Sequence, residues 1–247
     1  MNKQTLAEHL AELKKRIFFC IVFLSVAFCS TYFFAEEIYQ FLLQPLINSF
    51  DDLENRKMIY TSPAEGFMTF TKLAFYSALF FSVPFFLIQF YLFLSPALYK
   101  NEKKVVLSLF FFSPLLFFLG GVFAYYFLLP ITFEFFLTFE FQGLKDSSQI
   151  PIKLETKISD YLSFVINIFF SFGFAFQLPI CLLFLIRCGF ITINDLQIRR
   201  KYWIVAIFII AAILTPPDVV SQISLAIPMI FLFEIAILIG KKIKTKI

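Results

Sequence analysis

The residues able to do chemistry are few, and they sit at the edges of long apolar runs. Glu12 is followed by Lys15 and Arg16 at helical spacings of three and four. Glu102 lies among Lys100, Lys103 and Lys104, just after the apolar shoulder Phe93-Leu94. Each acid alone reads as a solvated helix charge satisfied by its neighbours. Together they are two carboxylates in a field otherwise made by lysines, and carboxylates of that kind hold a guanidinium by bidentate hydrogen bonds. That chemistry is binding, with no bond made or broken.

Within the apolar runs the notable polar residues are Asn167, Gln177 and Glu234. Gln177 stands two residues before Pro179, whose missing N–H leaves the carbonyl of Ala175 without a helical partner. Either a polar locus at membrane depth results, or a neighbouring helix satisfies the amide. Glu234 lies seven residues before Lys241 and can snorkel to the interface.

The usual catalytic sets are missing. One histidine, His9, excludes bis-histidine haem and any histidine-rich metal site. Cys20, Cys29, Cys181 and Cys188 all fall in apolar runs, with no C-x-x-C pair, and read as small hydrophobes. There is no phosphate-binding glycine loop and no G-x-S-x-G. No cofactor, metal, nucleic acid or enzymatic activity is expected.

The elements that must position these groups are membrane spans. Apolar residues make up 60% of the 247, charged residues 15%, and the mean hydropathy is +0.84, the composition of an all-α polytopic membrane protein forming one domain. Forty phenylalanines against seven glycines predict helices packed through bulky side chains and not through glycine grooves.

Residues 1–16 predict a short amphipathic helix with Leu6, His9, Leu10 and Leu13 on one face, leading into a first span over about 17–35. Residues 36–66 predict an acidic loop with turns near Pro45 and Pro63. Further spans are expected over about 67–94, kinked at Pro84, over 105–130, and over 161–186. Ser95-Pro96 reads as an N-cap with proline at the first helical position, and Thr192-Ile-Asn-Asp195 as a capping box. The last two helices, about 203–215 and 219–239, turn at Thr215-Pro216-Pro217-Asp218. The apolar part of the first, Trp203–Leu214, is short for a span, so they read as a shallow hairpin or as two crossings of a thinned bilayer.

Orientation follows from the basic residues. The N-terminus, 95–105, 187–202 and the tail carry 4, 3, 4 and 4 Lys or Arg, while the alternate loops 36–66, 137–160 and 215–222 carry 2, 3 and 0. That asymmetry puts both termini in the cytoplasm for either four or six spans.

Several of these segments, in order along essentially the whole chain, resemble the TatC family, the multi-spanning receptor of the twin-arginine protein translocase. They are His9-Leu10-Ala11-Glu12-Leu13-Lys14-Lys15-Arg16, Phe93-Leu94-Ser95-Pro96-Ala97-Leu98-Tyr99 through Glu102, and Leu214-Thr215-Pro216-Pro217-Asp218 with Ser221-Gln222. Tyr161-Leu-Ser-Phe164, Ala226-Ile-Pro-Met229 and Leu232-Phe-Glu-Ile235 add to the match. The resemblance implies six helices that cup a concave face, the last two short. It implies that Glu12 and Glu102, with Phe93 and Leu94 beside them, receive the paired arginines of an export signal. It also implies assembly or partner docking at Pro45, Phe67, Thr215, Asp218 and Gln222, with TatA- and TatB-type single-span proteins as partners and self-association expected. A bacterial cytoplasmic (inner) membrane, or an organellar one, and use of the proton gradient follow from the same likeness.

Two positions depart from the family pattern. Lys14 stands where many relatives carry arginine, and Gln177 where they often carry glutamate, so a hydrogen bond and not a proton is expected of Gln177. The competing class is a small-solute transporter or channel. It would normally show paired charges or an inverted repeat at the midplane, and this sequence shows neither.

Overall fold

The computed structural model describes residues 6–50, 56–94, 100–140, 154–215 and 218–244, and the side chains of these except 6–7, 100–106 and 243–244. Ser95-Pro96 and Pro216-Pro217 therefore lie outside the described residues. The described chain is almost entirely helical. It comprises α1 (Leu6–Phe33), α2 (Ala35–Asn48), β1 (Met58–Ile59), α3 (Glu65–Leu94), α4 (Lys100–Phe123), a π turn (Ala124–Leu128), α5 (Leu129–Leu137), β2 (Thr156–Lys157), α6 (Ile158–Ala175), α7 (Leu178–Arg187), α8 (Ile193–Ile198), α9 (Arg200–Leu214) and α10 (Val219–Lys244).

Among the described residues, five stretches are long and apolar enough to cross a membrane: Glu8–Phe33, Glu65–Leu94, Leu107–Leu137, Ile158–Arg187 and Val219–Lys242. Their outward faces stay apolar, with Phe111 77% and Phe231 67% exposed, as expected of a surface whose solvent is lipid. Of the helices outside these stretches the longest, α9, has 15 residues and rises about 22 Å, short of the roughly 30 Å hydrocarbon core.

Several helix limits differ from the sequence expectation. The amphipathic start and the first span are one continuous helix, because nothing between Lys14 and Phe18 breaks the backbone hydrogen-bond ladder. Residues 35–48, expected as loop with a turn near Pro45, are helical, and Pro45 sits inside α2. The carbonyl that its missing N–H orphans, that of Phe41, accepts instead from the Tyr125 hydroxyl at 3.0 Å. The third span runs on to Leu137. The π turn places the Leu129 N–H on the Ala124 carbonyl, and Pro130 then falls in the first turn of α5, where a helix needs no proline N–H. The fourth is interrupted at Phe176-Gln177, with Pro179 opening α7. The capping box at Thr192 is present: Asp195 N–H donates to the Thr192 hydroxyl at 3.2 Å, and Thr192 N–H donates to the Asp195 carboxylate at 3.1 Å.

The core runs through α3, α4, α6, α7, α9 and α10, where Leu73, Phe117, Leu162, Phe172, Ile207, Leu225 and Phe233 are fully enclosed. Aromatic packing dominates, as the phenylalanine count predicts. The Phe80 ring meets Phe117, Phe118, Phe169 and Phe170 with centroids 4.9 to 6.0 Å apart. One crossing departs from that expectation. Where α4 passes α6, a Cβ on Gly120 would fall 2.5 Å from the Phe172 carbonyl oxygen, and one on Gly173 would fall 2.5 Å from the Phe117 ring. The helices touch backbone to backbone there, and only glycine permits it.

At the end of the molecule holding α2 and the start of α3, two connections are stitched together. Met58 and Ile59 pair in parallel with Thr156 and Lys157. Arg56 grips the Glu140 carboxylate with both terminal nitrogens, one at 2.6 Å, and the Leu154 N–H donates to the same carboxylate at 2.8 Å. Lys157 lies 3.5 Å from Glu65.

Candidate functional site

The basic face holds the first candidate site. A free α1 N-terminus would fray, but two contacts hold it antiparallel against the end of α3. The His9 ring stacks on Phe93 with centroids 4.3 Å apart and planes 20° from parallel. About two turns along, Arg16 donates to the Gln89 side-chain oxygen at 3.2 Å. Glu12 lies between these tethers. Its Oε1 accepts from Arg16 Nε at 3.1 Å and Nη2 at 2.5 Å, so a half-buried carboxylate already holds one guanidinium. Of the two expected cationic neighbours only Arg16 engages it, while Lys15 lies 6.0 Å from the Phe19 ring.

The structure thus places Glu12 about one turn from the His9–Phe93 stack, with half-buried Leu94 next to Phe93 in the chain. Glu102 belongs to the first turn of α4, and its side chain lies outside the described ones. Gln89 is a functional candidate that sequence reasoning passed over. Its signal was available as a lone amide in the apolar run 67–94. The role of His9 as a stacking partner had no such signal, because its mate is 84 residues away.

At membrane depth Gln177 bonds across to α4. The Ser113 hydroxyl donates to its amide oxygen, and its amide nitrogen donates to the Ser113 carbonyl at 2.9 Å. The amide is therefore satisfied by a neighbouring helix and does not turn back on Ala175. Glu234 does not snorkel alone, since Arg200 Nη2 reaches it at 3.0 Å. Asn167 is exposed on α6.

The positions assigned to assembly occupy the opposite end. Pro45 is buried, and α2 is pinned around it by the Tyr125 bond to the Phe41 carbonyl and by the Tyr161 hydroxyl on the Leu42 carbonyl at 2.6 Å. Phe67 is 65% exposed at the start of α3. At the turn between α9 and α10, Thr215 is buried and its hydroxyl returns to the Ala211 carbonyl at 2.9 Å. Asp218 caps α10, its Oδ1 accepting the Ser221 N–H at 2.7 Å. Its Oδ2 and the Ser221 hydroxyl are buried with no hydrogen bond among the described residues. Gln222 reaches the Phe208 carbonyl at 3.3 Å, and the Ser171 hydroxyl donates to the carbonyl of Leu214, the last residue of α9. These bonds close the end of the short helix inside the protein.

Among the described residues no group of three or more His, Cys, Asp or Glu converges to hold a metal ion. Helices long and apolar enough to cross a membrane, with a carboxylate clamped near an aromatic shoulder at one face and polar caps at the other, define a polytopic helical membrane protein with a binding face. A family model described as Sec-independent protein translocase protein (TatC) matches residues 8–228. The Sec-independent protein translocase protein TatC of Rickettsia prowazekii (strain Madrid E) is 40% identical over 245 residues, covering 99% of this chain and 96% of that one. The protein of the same description from Escherichia coli (strain K12) is 38% identical over 240 residues, covering 97% and 89%. A crystal structure of the twin-arginine translocase receptor TatC superposes with a TM-score of 0.75 at 35% identity, covering 95% of this chain and 98% of that one. The chain belongs to the TatC family.

Proposed function

We propose that this chain is the signal-recognition and assembly core of a twin-arginine translocase in a bacterial cytoplasmic membrane. The observation that carries the reading is the double tether, His9 on Phe93 and Arg16 on Gln89, which holds Glu12 next to the aromatic end of α3. An arriving guanidinium finds Oε2 of Glu12, the oxygen Arg16 does not use, and pairs there by charge-assisted hydrogen bonds. Glu102, one connection beyond Phe93-Leu94, takes the second arginine, and the apolar shoulder receives the hydrophobic residues of the same signal. The surrounding lysines repel a dibasic peptide, so recognition depends on these acids at close range.

Six crossings complete the reading, over about 17–35, 67–94, 105–130, 161–186, 203–215 and 219–239. α10 is long enough to cross by itself, so both termini share the lysine-rich face only if short α9 crosses too, through a locally thinned bilayer. TatA- and TatB-type partners then dock on the exposed apolar flank of α9, beside the turn that Thr215, Asp218 and Gln222 hold, with Pro45 and Phe67 shaping the outer end. The transmembrane proton gradient supplies the energy.

The test is affinity of a signal peptide carrying Arg-Arg against its Lys-Lys version. A hydrogen bond to a charged group is worth about 1.5–3 kcal/mol, so Glu12→Gln or Glu102→Gln each weakens Arg-Arg binding roughly ten- to a hundredfold. An unchanged Arg-Arg preference in the double variant removes the receptor assignment.

A further inference from the structure

Away from the signal face, α2, α3 and α6 enclose a cavity of about 360 Å³, open on one side. Its walls are almost wholly apolar, with Phe41, Leu73, Tyr76 and Phe169 among them, and Ser77 lies in the wall. Glu37 is the one charged residue on its rim. Its depth follows from the helices. Thr31 of α1 donates to the Ala74 carbonyl at 2.7 Å, so α1 ends, and α2 begins, level with the Lys72–Ala74 stretch of α3. Exposed Glu36, Glu37 and Lys72 mark that level as the water boundary. From Lys72 to Phe81 the cavity wall descends nine residues, about 13 Å, which is close to one leaflet of a roughly 30 Å core.

We propose that this cavity is a binding site for one phospholipid with a primary ammonium headgroup, an acyl chain filling the slot and the ammonium on Glu37. Apolarity selects the chain. The walls suit a hydrocarbon chain and offer a polar segment little to pair with. Charge selects the head. Glu37 has no hydrogen-bond or ion-pair partner among the described residues, and the cation at its level, Lys72, donates to Ser163 at 2.8 Å. A carboxylate there repels the phosphate of an anionic lipid that lacks an ammonium. A primary ammonium donates hydrogen bonds to it, which a quaternary one cannot do. The bound chain would cover the apolar walls of the slot and brace α2, already tied at its Phe41 and Leu42 carbonyls.

The test uses the full-length protein in nanodiscs of defined phosphatidylethanolamine, phosphatidylglycerol and phosphatidylcholine content, with native mass spectrometry of the retained lipid. One phosphatidylethanolamine is expected, held about tenfold over the other two. Glu37→Gln, a surface change, is expected to erase that headgroup preference while a lipid is still retained. Ser77→Phe fills the slot and is expected to lose the retained lipid. A photoreactive phenylalanine at Tyr76 gives an independent reading, with an adduct of lipid mass expected. Preference that survives Glu37→Gln, equal retention of all three lipids by the unaltered protein, or an adduct of peptide mass each overturns the proposal.

Discussion

The bond between Tyr125 and the Phe41 carbonyl compensates for a proline, and that compensation can be measured. Pro45 cannot donate to Phe41 four residues earlier, and the Tyr125 hydroxyl fills the vacancy at 3.0 Å, its ring stacked on Phe41 with centroids 4.5 Å apart. Tyr125→Phe keeps the stack and removes only the hydroxyl, leaving a carbonyl with neither partner. Net hydrogen bonds are worth about 0.5–1.5 kcal/mol, and those measured inside membranes average about 0.6, so a loss of about 1 kcal/mol is expected. Pro45→Ala restores a donor at position 45, and α2 can then close its own ladder onto Phe41. In that background Tyr125→Phe should cost no more than about 0.3 kcal/mol, a coupling of about 0.7 kcal/mol in the double-mutant cycle. The assay is equilibrium unfolding in mixed micelles, followed by helical circular dichroism for the four proteins. Strictly additive losses would mean that the hydroxyl does not serve the proline's orphaned carbonyl.

Three further outcomes follow from the geometry. Gln177→Glu should keep export near normal, because a protonated carboxyl both accepts from the Ser113 hydroxyl and donates to the Ser113 carbonyl, whereas Gln177→Leu strands the Ser113 hydroxyl and should impair export with the protein still assembled. Full export by the leucine variant leaves Gln177 a structural role only. A cytoplasm-dependent reporter should be active after Ile247 and near Gln197 and silent near Asn55 and Ser148, and activity at Ser148 would undo the assignment of the third and fourth crossings. The Thr192 hydroxyl and N–H hold the Asp195 carboxyl below the usual range. A lowered folded-state value means the support for α8 is complete at neutral pH and lost as pH falls through that value. Amide exchange in α8 should therefore speed up in acid, and Asp195→Asn should show the faster exchange already at pH 7.

The sequence by itself determined the class, the long apolar helices and the chemistry available. Apolar runs beyond about 18 residues have no stable form in lipid except a helix, because every backbone donor must be satisfied within its own segment. The capping box at Thr192 was legible for a similar reason, since all its partners lie within four residues. The family resemblance drew on the same kind of local information, short motifs in order, and the family model spanning residues 8–228 bears it out.

What only the tertiary structure decided depends on atoms far apart in the chain. Pro45 reads as a turn because its own segment offers no donor for Phe41, and the donor that keeps α2 helical comes from Tyr125, 84 residues away. Gln177 reads either as a locus beside Ala175 or as an amide met by a neighbouring helix, and only the packing shows the second, with Ser113 on α4 as the partner. A scarcity of glycine argues against close helix contact, yet Gly120 and Gly173 meet at one crossing where backbone touches backbone. Glu12 and Phe93 each look like edge residues of separate runs. They share a face because an antiparallel packing brings His9 to Phe93 and Arg16 to Gln89. Local sequence specifies which groups need partners, and only the packing of one helix on another supplies them.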